Sequence, residues 1–86
     1  MTKKRMTVYF TVVGEDDFMF LDKNNEITQQ GVELMKIGLD FTFLIVFCRD
    51  KEEAEQMCKC SPYCNYETKI IGIESLQRII KGLIKI

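Results

Sequence analysis

The most continuous apolar run in the chain, Phe41 to Cys48 (Phe-Thr-Phe-Leu-Ile-Val-Phe-Cys), sets the terms on which the rest can fold. Its β-branched and aromatic content favours a strand, and a strand without polar alternation must be covered on both faces. The run therefore predicts the centre of a sheet, with helices packed against it. At 86 residues only one domain, 1–86, can be built around that centre.

The flanking segments read as the elements that do the covering. Met6 to Val13 alternates Met6, Val8, Phe10 and Val12 with Thr7, Tyr9, Thr11 and Val13, which predicts a first strand. Phe18 to Asp22 is a second short apolar run. The four residues Gly14-Glu15-Asp16-Asp17 between the two suit an antiparallel hairpin. Asn25 can cap a helix running to Gly38, with Ile27, Leu34 and Met35 on its inner face. Asp50 can cap a second helix from Lys51 to about Cys60, ended by Ser61-Pro62, with Ala54, Met57 and Cys58 inward. Tyr66 to Gly72 reads as a fourth strand. From Glu74 a last helix carries Leu76, Ile79, Ile80, Leu83 and Ile84 on one stripe, opposite Gln77, Arg78, Lys81 and Lys85. The order ββαβαβα predicts an α+β domain with a four-stranded mixed sheet and helices mainly on one face.

Charge and composition exclude more than they suggest. Twelve basic residues against thirteen acidic leave a net charge of −1, so general attraction to nucleic acid or an anionic membrane is lacking. A local basic patch would need Lys3, Lys4, Arg5, Arg78, Lys81 and Lys85, with Tyr9 and Phe10 as stacking aromatics. The simpler reading makes Phe10 core and the cations solvated. There is no histidine, which removes the Ser-His-Asp and Cys-His nucleophile arrangements and the commonest general base. No phosphate-binding glycine loop, nucleophile elbow or metalloprotease motif is present, and no cofactor is implied. No stretch approaches the ~20 apolar residues of a membrane span. The N-terminus does not read as a secretory signal, because an acidic run follows its short apolar segment. A cytoplasmic protein is expected.

Four cysteines form the one cluster with chemical meaning, Cys48, Cys58, Cys60 and Cys64. Four thiolates could close a tetrahedral zinc site. Their intervals of one and three residues differ from the common paired spacing, and on a continuous helix Cys58 and Cys60 point about 200° apart. Packed or surface thiols, reduced in the cytoplasm, are the expected reading; a small zinc or redox protein is the alternative. The acidic groups Glu15 to Asp17 and Asp50 to Glu55 read as solvated turn and helix-surface acids rather than a catalytic pair.

What remains is an apolar surplus. Six phenylalanines and five methionines, beside many isoleucines, are generous for a domain with so small an interior. Surface candidates are Phe18 and Met19 beside the acidic Glu15, Asp16 and Asp17, and the last helix end, Leu83, Ile84 and Ile86. With no catalytic apparatus, the expected function is a non-enzymatic interaction or inhibitor module that occupies a surface of another protein, alone or as a homodimer. In size and catalytic bareness the chain is similar to phage-encoded antagonists of host systems, anti-CRISPR proteins among them. That likeness carries no shared motif and assigns no residue a role.

Overall fold

A computed structural model describes residues 6–63 and 66–84. Strands and helices alternate: β1 (Thr7–Val12), α1 (Gln29–Asp40), β2 (Phe43–Cys48), α2 (Lys51–Cys58), β3 (Glu67–Gly72) and α3 (Ile73–Ile84), with a 3-10 turn at Ser61–Tyr63. The three strands form one sheet in the order β2-β1-β3, and both pairings are parallel. Thr7 stands level with Phe43 on one side and Glu67 on the other.

This sheet overturns the four-stranded mixed arrangement. Phe18 to Asp22 is no strand, and its single ladder contact is an isolated antiparallel bridge from Leu21 to Ile27. No place beside β1 is open to it, since β2 and β3 occupy both edges of that strand. The segment instead buries Phe20 and Leu21 and turns back at Asp22, whose Oδ1 accepts from the backbone N–H groups of Asn24 and Glu26 at 2.8 and 2.9 Å. Asn25 sits within that turn at φ 66° and is not a helix cap. The cap of α1 is Thr28, whose hydroxyl accepts from Gly31 N–H at 3.1 Å.

Helices cover both faces rather than mainly one. On one side, Leu34, Met35 and Ile37 of α1 and Leu76 and Ile80 of α3 pack with Tyr9, Phe43, Ile45, Phe47 and Ile71. On the other, Ala54, Met57 and Cys58 of α2 pack with Val8, Phe10, Val12, Leu44, Val46 and Ile70. The two strand-to-strand crossovers run in opposite directions across the sheet over opposite faces, so they share a hand, as parallel units do.

The most apolar strand, β2, lies at an edge, and the threonine-containing β1 lies at the centre, where Val8, Phe10 and Thr11 are fully buried. The side chains of β2 are nevertheless packed on the faces of the sheet, Phe43 and Ile45 being only 6% and 2% exposed, while Leu21, Ile27 and Met35 line a groove of about 300 Å³ beside the strand. The Thr11 hydroxyl has no hydrogen-bond partner among the described residues.

Candidate functional site

Parallel strands put all three carboxyl ends on one edge of the molecule, and the long connection from β1 to α1, residues 13–28, leaves from that edge and is tied there to the end of β2. A segment this long without regular structure needs its own framework. Arg49, the residue immediately after β2, supplies it. One terminal nitrogen donates to the carbonyl of Gly14 at 2.9 Å and to that of Asp17 at 3.4 Å. The other donates to the Asp22 carbonyl at 2.6 Å, and Nε donates to Asn25 Oδ1 at 3.1 Å. The planar fork of a guanidinium suits several fixed acceptors at once. Its carbon also lies 5.7 Å from the centre of the Phe18 ring.

Further bonds hold the same loop. Asp17 Oδ1 accepts from Met19 N–H at 2.9 Å, Thr28 N–H donates to the Phe20 carbonyl at 3.0 Å, and the Thr28 hydroxyl donates to the Met19 carbonyl. Phe20 stacks on Phe47 at 5.7 Å with the rings 9° from parallel. Between these anchors Phe18 and Met19 stand 51% and 48% exposed, flanked by exposed Glu15 and Asp16. Arg49 is itself oriented by α2: Asp50 Oδ1 accepts from Glu53 N–H at 2.8 Å as the helix cap, and Glu53 Oε1 accepts from Arg49 N–H at 2.9 Å.

Protein-family models, curated proteins and solved structures give no significant match to this chain.

The surface candidates therefore fall into two places. Glu15, Asp16, Asp17, Phe18 and Met19 share the clamped loop. Leu83 and Ile84, 46% and 45% exposed, lie on the last turn of α3 at the opposite end of the molecule, because a helix returning across a parallel sheet ends at the amino edge of the strands. Ile86 lies outside the described residues. Arg49 was not singled out in the sequence. The signal available was an arginine between a buried strand and a helix cap, where its stem is fixed at both ends.

The cysteines do not converge among the described residues. Cys48 is fully buried with Sγ 3.8 Å from the Met57 sulfur, Cys58 is half-buried, and Cys60 is exposed with Sγ 3.6 Å from the Gln56 carbonyl. Burial, then the charges of Glu53, Cys58 and Asp50, push the Cys48 thiol from its ordinary 9.0 to about 12. No group of three metal-binding side chains occurs among the described residues, and Cys64 lies outside them. Of the basic patch, Lys3, Lys4, Arg5 and Lys85 also lie outside. Arg78 and Lys81 line a groove of about 390 Å³ between α1 and α3, together with the acid Glu74. No helix among the described residues is long and apolar enough to cross a membrane.

Proposed function

We propose that this protein is a non-catalytic interaction module that acts in the cytoplasm by occupying a surface of another protein through the clamped loop. The supporting observation is the four-point attachment of the loop by Arg49 beneath two exposed apolar side chains. A free loop of this length loses much conformational freedom when it is bound; a loop already held in shape avoids most of that loss. Phe18 and Met19 form the apolar centre of the contact, and Glu15 and Asp16 form a charged rim. The chemistry selects a partner with an apolar pocket bordered by lysines or arginines. The rim charges speed association more than they tighten it.

The test is affinity capture from cell extract with the wild type and the Phe18→Ser/Met19→Ser double variant in parallel. Both positions are exposed, so the variant keeps the fold, checked by circular dichroism. The reading predicts that specific partners captured by the wild type are lost from the folded variant. An identical captured set from both would overturn it.

A further inference from the structure

The two edges of the sheet differ. Outward backbone groups of both edge strands have no partner among the described residues, but the groove described above lies beside β2, whereas β3 presents the charged side chains of Glu67 and Lys69, both exposed. The pairing pattern shows which backbone groups are free. Val13 N–H donates to the Cys48 carbonyl, so odd-numbered residues of β1 face β2 and even-numbered ones face β3. With Phe10 level with Ile70, the groups of Phe10 meet the residues on either side of Ile70, and those of Thr68 and Ile70 point outward.

Three apolar side chains surround this edge. The groove between α1 and α3 is lined by Glu74, Gln77, Arg78 and Lys81, so Ile79 and Leu83 lie on the opposite flank of α3, above the outer side of β3. They are 37% and 46% exposed, and Tyr66, just before the strand, is 40% exposed. An open edge is ordinarily protected by charge, and here Glu67 and Lys69 provide it. Their signs and spacing also admit one particular partner strand.

We infer that the open edge of β3 pairs antiparallel with β3 of a second copy of this chain, the two-fold axis passing at Thr68. In that register Glu67 of each copy stands opposite Lys69 of the other, on the same face and in the closer, non-hydrogen-bonded type of pair. Tyr66 stands opposite Ile70 of the second copy, an aromatic against a β-branched side chain. Thr68 meets Thr68 across the axis with both backbone groups directed at each other. α3 runs back along the sheet at 1.5 Å per residue against ~3.3 Å for β3, which places Leu83 at about the height of Thr68. The Ile79 and Leu83 flanks of the two α3 helices therefore meet over the same axis.

A second copy is the occupant that satisfies all of these features at once, because opposite charges two residues apart on one strand are complementary to themselves only when the strand meets itself reversed. The ladder is roughly 17 Å long and the strand with its helix roughly 20 Å across, a face of about 350 Å² per copy before side-chain relief. Both copies together bury about 700 Å², below the range of stable interfaces and within that of weak, transient ones, so the pair dissociates on dilution. The inference is separate from the clamped loop. The two loops of the dimer point in opposite directions.

Sedimentation over a dilution series, with charge reversal, tests it. The wild type is expected to show a concentration-dependent dimer. Lys69→Glu alone should weaken it by about tenfold or more, since two like-charge pairs replace two attractive ones. Glu67→Lys together with Lys69→Glu should restore it. Amide hydrogen exchange at Thr68 and Ile70 should slow in the wild type as concentration rises. A monomer at every concentration would overturn the inference, and so would a dimer indifferent to Lys69→Glu. A dimer whose protection appears away from β3 would do the same. The extract capture above reads the loop independently in every case.

Discussion

Through four side-chain hydrogen bonds Arg49 ties Gly14, Asp17, Asp22 and Asn25 to the end of β2. Lysine keeps the charge but loses the fork, so Arg49→Lys leaves most of these acceptors unsatisfied. Hydrogen bonds to a charged group contribute about 1.5–3 kcal/mol, and the variant is expected to lose about 1–3 kcal/mol in denaturant unfolding. Limited proteolysis should then cut within residues 13–28 while the wild type resists. Cys48 gives a second expectation at this scale. Its thiol is raised in the folded state, so the fold binds that proton more tightly than the unfolded chain does. The resulting stabilisation is complete below pH 9.0 and is lost as pH rises from there toward about 12. At neutral pH an alkylating reagent should modify exposed Cys60 rapidly and buried Cys48 only on unfolding; equal rates would contradict the placement of the two.

Among the elements, those whose signals are local were legible. Alternation marked β1, Asp50 marked the start of α2, and the i, i+3, i+4 stripe marked α3. The connection from β1 to α1 was not legible. Phe18 to Leu21 is apolar, as a strand would be, yet Phe20 and Leu21 are anchors, and Phe18 and Met19 are exposed side chains on an irregular loop. Tertiary contacts distinguish the two outcomes, among them the bonds from Arg49, 27 to 35 residues away along the chain for the carbonyl acceptors. The start of α1 was obscured for a related reason. Gly31 reads as weak helix sequence, but it sits in the first turn where α1 meets the loop. A Cβ there would stand 2.7 Å from both the Phe20 carbonyl oxygen and Ile27 Cγ1. Gly31→Ala should therefore destabilise by about 1–3 kcal/mol, because a backbone atom cannot move aside. Gly82, in the exposed part of α3, has open space around it, and Gly82→Ala should stabilise by about 0.5–1 kcal/mol. Opposite signs in parallel chemical denaturation would support the packing at both positions; the same sign would contradict it.

At the scale of the whole molecule, strand order separates what a chain announces from what its fold decides. The apolarity of Phe43 to Cys48 requires cover, and cover can come from neighbouring strands or from helices and a loop. Here helices on both faces and the stacking of Phe20 on Phe47 cover the side chains of β2 at the edge, which frees the centre for β1 between two parallel neighbours. Pairings between distant segments leave no mark in any one segment, so neither the three-stranded order nor the two-sided cover could be read from periodicity. The acidic-apolar composition of the candidate loop was legible, but its rigidity was not. The same architecture separates the candidate surfaces: the clamped loop lies at the carboxyl edge, whereas the β3 edge, with Leu83 on the α3 flank above it, lies to one side. The clamped loop is proposed as the surface a partner meets. Replacing Phe18 with a photo-crosslinking amino acid, beside the same replacement at Glu55 on the exposed face of α2, checks this at the contact itself. Discrete adducts are expected from position 18, competed away by excess unlabelled protein and absent from position 55. Indistinguishable adduct patterns from the two positions would overturn the proposal.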